Sequence, residues 1–168
     1  MGSGDGAAEE DRLAVLEQRV RQLEDEVAVL RLVNSWGPAV DTGSSEAAAA
    51  LWHEDGVLES DLSHLQGPGA VFAMVESDGQ QALITQGCAH VQSAPIIRID
   101  GDEAEAVTYS QVYLHADEGH TVWRVSANLW QCRRTPDGWR VTRRANRVID
   151  GSTEAHKILA RAFGPPSS

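Results

Sequence analysis

Residues 90–149 read HVQSAPIIRIDGDEAEAVTYSQVYLHADEGHTVWRVSANLWQCRRTPDGWRVTRRANRVI. Two turn signals, Gly101-Asp102 and Pro136-Asp137-Gly138, interrupt runs rich in β-branched and aromatic residues. Strands are therefore expected at 90–100, 104–116, 121–134 and 139–149, following one another as an antiparallel meander. Side chains alternate across a strand, so Ser126 and Asn128 must share a face of this sheet.

Upstream of the meander the periodicity is helical. Leu13, Leu16, Val20, Leu23, Val27 and Leu30 recur at alternating spacings of three and four, which is a heptad seam. With Leu13, Val20, Val27 and Asn34 at a and Leu16, Leu23 and Leu30 at d, the pattern favours a parallel two-stranded coiled coil, a trimer being the other open state. The flanking g and e positions match Arg12 with Glu17, Arg19 with Glu24 and Glu26 with Arg31, all attractive. The alternative is an amphipathic helix lying on its own sheet, since three heptads are marginal alone. A disordered lead is expected at 1–9, a helix at 10–36 and a tail at 165–168. Gly37-Pro38 is expected to end or kink the helix, leaving Asp41 just past the break. A second short helix is expected from Ser44-Ser45-Glu46 to Asp55-Gly56, a strand at 57–60, and a further helix from Gly67-Pro68-Gly69 that ends before Asp78-Gly79. Residues 153–163 should form a last helix that closes a hollow or covers the sheet. Helices first and a long bent sheet afterwards is the α+β order.

The 168 residues, 42% of them hydrophobic, suffice for one core and are short for two domains. Acidic residues outnumber basic ones 25 to 14, for a net charge of -11, which repels a phosphate backbone and argues against nucleic-acid binding. The two cysteines, Cys88 and Cys132, lie far apart with no CxxC spacing, so neither a disulfide framework nor a thiolate zinc site is expected. The opening MGSGDGAAEED has no basic or apolar leader character and no run is long enough to span a bilayer. A cytoplasmic protein without membrane contact is the expectation.

Candidates for chemistry near the concave face are Asp41, His90, His115, Ser126 and Asn128. The alternatives are a solvated turn histidine for His115, which stands near a strand end beside Asp117, Glu118 and His120, and buried polar groups satisfied within a curved sheet for Ser126 and Asn128. There is no HExxH and no glycine-rich phosphate loop, so neither metal nor ordinary cofactor is expected. A carboxylate bonded to one imidazole nitrogen fixes the tautomer and leaves the other nitrogen as a base. Asp41 and His90 are candidates for that pair, beside the alternative of a structural histidine near a helix end. Arg133, Arg134, Arg140, Arg143, Arg144 and Arg147 form a basic cluster that either holds an anionic substrate or pairs with acids on the solvent face. Trp36 and the other four tryptophans either line an apolar pocket or fill the core.

The run AVDTGSSEAAAALWHEDGVLES (39–60), the lone His90 opening a strand, and SANLWQCRRTPDGWRV (126–141) together resemble the SnoaL-like branch of the nuclear-transport-factor-2-like superfamily. Within it the likeness is greatest to the scytalone dehydratase and bile-acid 7α-dehydratase families. The resemblance implies a cone-shaped α+β barrel, a curved antiparallel sheet with packed helices, over residues 25–164. It implies that Asp41 orients His90, that His115 is a second active-site histidine, and that Ser126 and Asn128 contact substrate; Trp36 and Arg144 are added as substrate-contact candidates from the tryptophans and the basic cluster. The dehydratase's two tyrosines, which hold a water on the substrate carbonyl, correspond here to Val40 and a residue near Ser60.

The activity so implied is a cofactor-independent lyase of dehydratase type, or an isomerase or cyclase, acting on a hydrophobic polycyclic or polyketide-like molecule. From another class comes a noncatalytic ligand-binding or oligomeric scaffold module, because a fold does not define a function. A third possibility is the small subunit of a ring-hydroxylating oxygenase, which would need a large iron-bearing partner. The first two readings separate on whether Asp41 and His90 meet at a cavity or point apart in a filled core.

Overall fold

The computed structural model describes residues 3–164, with side chains from Glu9 onward. The elements follow as α1 (Ser3–Asp41), α2 (Ser45–Ala50), β1 (Trp52–Glu59), β2 (His64–Gln66), α3 (Gly67–Val75), α4 (Asp78–Gln86), β3 (Cys88–Gln92), β4 (Ile96–Asp100), β5 (Glu103–Ala116), β6 (Gly119–Thr135), β7 (Gly138–Val148) and α5 (Thr153–Ala160). This is the expected α+β order with its long N-terminal helix. The expected lead at 1–9 begins outside the described residues, α1 being helical from Ser3, and the tail at 165–168 lies outside them altogether.

The seven strands make one curved sheet in the order β2-β1-β7-β6-β5-β3, with β4 also paired to β5. The expected meander is β5-β6-β7, antiparallel throughout. The sheet as a whole is mixed, because β7 returns alongside β1 in parallel. The single strand expected at 90–100 is two, β3 and β4, each antiparallel to β5. The break falls at Ser93-Ala94-Pro95, where proline has no N–H to give a ladder. Asp78-Gly79 opens α4 instead of ending a helix: Ser77 caps it, its side chain accepting from the Gln80 N–H, and Gly87 at φ 93° closes it.

The main correction concerns α1, which runs through Gly37-Pro38 to Asp41. Pro38 sits in the last turn, where it removes one donor from the ladder, and the carbonyl it deprives belongs to the exposed Asn34. Gly37 is required for another reason. A Cβ there would lie 2.0 Å from the carbonyl oxygen of His90, so helix and strand β3 touch backbone to side-chain-free backbone. Gly37→Ala is expected to destabilise the protein by about 1–3 kcal/mol, because the overpacking cost exceeds the gain of roughly 1 kcal/mol that alanine brings to a helix. Denaturant unfolding reads the difference, and equal or greater stability in the variant would refute the close approach.

One face of the sheet carries the main core. Val29, Val33, Trp36 and Val40 of α1 pack with Trp52, Val71, Val75, Ala106, Trp130 and Val141. On the other face Val107, Ala127, Leu129 and Ala145 receive Ala155 and Ile158 of α5, so the last helix covers the sheet. Among the described residues no helix is long and apolar enough to cross a membrane.

Candidate active site

Asp41 is the last residue of α1, and Cys88 and His90 stand on one face of β3 by strand alternation. The Gly37 contact brings these two elements to hydrogen-bonding distance. Asp41 Oδ1 lies 2.5 Å from His90 Nδ1, while Asp41 Oδ2 accepts the His90 backbone N–H at 2.6 Å. The Cys88 thiol donates to Oδ1 at 3.3 Å. Both carboxylate oxygens are thus engaged, and the imidazole is held with Nδ1 toward the acid. In the neutral ring this leaves Nε2 as the basic atom. His90 lines a cavity of about 180 Å3 whose wall is chiefly apolar, with Trp36, Val40, Leu58, Leu65, Met74 and Val112 among its residues.

Burial first, then the hydrogen bond to Asp41 and its charge, push the Cys88 thiol up to about 11. It therefore stays protonated and remains a donor to the carboxylate at neutral pH. Alkylation of Cys88 at pH 8 is expected to be slow in the folded protein, and Asp41→Asn should accelerate it by removing one of the causes. Mass-spectrometric labelling kinetics check this, and identical rates in wild type and variant would sink it. Asp41, Cys88 and His90 also place possible ligand atoms within 4.8 Å of one another. A cation there would have to displace the proton between Asp41 and His90 and ionise a reluctant thiol, so these donors suit a hydrogen-bonded relay better than a metal.

Two arginines share the cavity wall with His90, Arg124 and Arg144. Arg124 donates to Asp61 at 2.7 Å and to Asn146 Oδ1 at 2.9 Å. Arg144 is different. Its guanidinium lies 4.2 Å from the Trp130 ring centroid and 5.0 Å from that of Trp36. It donates twice to Asn128 Oδ1, from Nε at 3.0 Å and from an Nη at 2.8 Å. Among the described residues no carboxylate forms an ion pair with it. Burial, and then the charge of Arg124, draw it down to about 9, which still leaves it charged at neutral pH. A bulge in β7 aims it inward: the pairing steps from Gln131–Arg143 to Cys132–Val141, skipping Thr142. Simple alternation from the core residues Trp139 and Val141 would have turned Arg144 outward.

The other members of the arginine cluster behave as surface charges. Arg133 pairs with Glu103, Arg134 with Asp25 and Asp102, and Arg143 and Arg147 with Glu59. Asn128 is fully buried and does not line the cavity; besides holding Arg144 it donates to Ser110 Oγ and accepts from Asn146. It supports residues that face the cavity and does not face it itself. Ser126 is also fully buried, its Oγ without a hydrogen-bond partner among the described residues. His115 takes the solvated of its two readings. Ser110 and Val112 of β5 face the cavity, and His115, of opposite parity, is exposed and stacks edge-on against His120 at 5.4 Å. The structure brings together Asp41, His90, Trp36 and Arg144, and leaves His115 outside.

Several cavity residues carried no signal in the reading of the sequence. Gln80 lies on the unforeseen α4 and donates to the Val40 carbonyl. Arg124 was readable in principle, being two residues before Ser126 on the same strand face. Trp123 and Arg124 both reach the cavity because the β5–β6 register shifts there, Val112 facing Arg124 and Tyr113 facing Val122. The two places that the resemblance gave to the dehydratase tyrosines, Val40 and the neighbourhood of Ser60, do line the cavity. Their phenols are absent from a wall where they would have met a ligand.

Comparison with solved structures gives an NTF2-like protein of cystatin-like fold from Novosphingobium aromaticivorans, 37% identical, with a TM-score of 0.85 over 88% of this chain and 96% of that one. The fold is shared at 13% identity by a hexachlorocyclohexane dehydrochlorinase from Novosphingobium barchaimii, TM-score 0.67, over 78% of this chain and 90% of that one. It is shared at 17% identity by a candidate scytalone dehydratase from Novosphingobium aromaticivorans, TM-score 0.64, over 76% and 86% respectively. No curated protein matches the chain significantly. The family model for the SnoaL-like domain matches residues 21–145, a stretch that includes Asp41, His90 and Arg144, and the chain belongs to that family.

Proposed function

We propose that the protein is a cofactor-independent lyase or isomerase that removes a proton from an acidic carbon of a hydrophobic, polyketide-like or polycyclic small molecule. The observation that carries this reading is the Asp41–His90 pair, 2.5 Å apart on the wall of an apolar cavity. His90 Nε2 takes the proton, and Asp41 stabilises the imidazolium that results. The electron pair of the broken C–H bond moves toward a substrate oxygen, and the buried charge of Arg144 favours negative charge there. Departure of a hydroxyl or another small group from the neighbouring carbon, carrying off its bonding pair, completes an elimination. Return of the proton from His90 to a different carbon gives an isomerisation instead.

Val40 and Ser60 offer no phenol to hold a water against a carbonyl, which favours a leaving group or an acceptor handled by arginine over the chemistry of scytalone itself. The test compares wild type with His90→Ala and Asp41→Asn on a panel of β-hydroxy ketones, hydroxy-steroid thioesters and polycyclic phenols. Turnover by wild type that both variants lose supports the reading. Variants that turn over as fast as wild type would overturn it.

A further inference from the structure

The first three heptads of α1 present an apolar stripe that the chain itself does not cover. Leu13, Leu16, Val20, Leu23, Val27 and Leu30 are all exposed, from 36% to 61%. The next a position, Asn34, is exposed as well. The helix packs on its own domain through another face, that of Val29, Leu32, Val33, Trp36, Ala39 and Val40. In the same heptad these are c, f and g positions, whose mean direction lies roughly 140° around the helix from the a/d seam. The bland alternative of a helix lying its seam on its own sheet is thereby removed. The half of α1 fixed to the domain also supplies the nucleus that three isolated heptads would lack.

The charges beside the stripe identify its occupant. Arg12 and Arg19 at g, with Glu17 and Glu24 at e, are exposed, as is Arg31 at e, whose g counterpart Glu26 is half-buried. In a parallel pair Arg12 of one helix faces Glu17 of the other, Arg19 faces Glu24 and Glu26 faces Arg31, each twice by symmetry. In an antiparallel pair centred on the same heptads, Arg19 would face Arg19 and Glu24 would face Glu24. Arg12 with Glu26 and Glu17 with Arg31 would still attract there, so the parallel orientation is the one in which every flanking pair attracts. Valine at the two central a positions, leucine at every d and an asparagine at the last a position favour two strands in one register.

We propose that two copies of this chain associate through α1 as a parallel, in-register, two-stranded coiled coil from Leu13 to Asn34. Asp41, His90, Trp36 and Arg144 all come from one chain, so each domain keeps a complete site, and the two domains are carried at the same end of the coil.

Sedimentation equilibrium on the full chain reads the stoichiometry, and the expected mass is that of two chains. Leu16→Glu with Leu23→Glu should give the mass of one chain, with an unchanged circular dichroism signal from the folded domain because neither residue touches the core. Arg12→Glu with Arg19→Glu sets acid against Glu17 and Glu24, and should weaken self-association by on the order of tenfold or more. Glu17→Arg with Glu24→Arg should do the same. Mixing these two charge variants should restore association as a heterodimer, detected by native mass spectrometry. A monomeric or trimeric wild type overturns the proposal. So does a leucine variant that remains dimeric, which would place the contact on the sheet, or a charge-variant mixture that fails to pair.

Discussion

His90→Ala is expected to lower kcat on any compound the wild type consumes by about 10²–10⁴, the range over which a positioned general base contributes. Asp41→Asn should cost nearly as much, although it changes only one atom. An amide can present its nitrogen to His90 Nδ1, and an imidazole accepting at Nδ1 carries its proton on Nε2, the atom that must be free to act as base. The His90 N–H, which now donates to Oδ2 at 2.6 Å, fixes the carboxylate plane and would fix the amide the same way. The double variant should therefore be no slower than the worse single variant, because both remove one function. Steady-state kinetics of the two singles and the double measure this. Losses that multiply in the double variant would mean that Asp41 acts on something other than His90.

The placement of that pair was legible in the sequence because both its neighbourhoods are simple. Asp41 follows the last core turn of a long helix, and His90 opens a strand whose partner is set by a clear meander. Where no bulge intervenes alternation holds, and Ser126 and Asn128 share a face opposite Ser110 and Thr108 of β5. The same rule fails wherever a strand carries an extra residue. Thr142 shifts the parity of β7 and turns Arg144 inward, and nothing in TRRAN marks it as a bulge. Periodicity likewise missed α4, whose DGQQALITQ has a single buried residue, Gln80, and so almost no apolar stripe to read. His115 was made a candidate by its place near the end of a strand and by the resemblance, and strand parity, applied from Ser110 and Val112, would have placed it outside. Gly37 was read as a helix breaker when its role is contact, which depends on a strand more than fifty residues away.

Arg144→Met should sharply lower turnover without unfolding the protein, and this separates a functional cation from a structural one. The guanidinium is buried among two indole rings and the Asn128 oxygen, with no ion-pair partner among the described residues. Taking a charge from water without a counter-ion costs several kcal/mol, and two aromatic faces and a pair of neutral hydrogen bonds recover only part of that. Methionine has similar length, packs against the same rings, and leaves Asn128 Oδ1 satisfied by the Asn146 amide at 2.7 Å. Stability at neutral pH should be unchanged or higher by about 1–3 kcal/mol. The sign with pH follows from the depressed value of the group. A base held down to about 9 in the fold penalises folding in full below that pH, and the penalty shrinks only as pH rises from there toward the ordinary guanidinium range. The stability gained by Arg144→Met should accordingly be constant through neutrality and decline above pH 9, as read by urea unfolding across the pH range. Activity should fall by about 10²–10³, the usual loss when one preorganised donor to a developing anion is removed. A variant that is clearly less stable than wild type, or that keeps its turnover, would make Arg144 a packing residue. Stability retained together with activity lost would mean that the buried charge is maintained, at a cost to the fold, for the anion it meets during turnover.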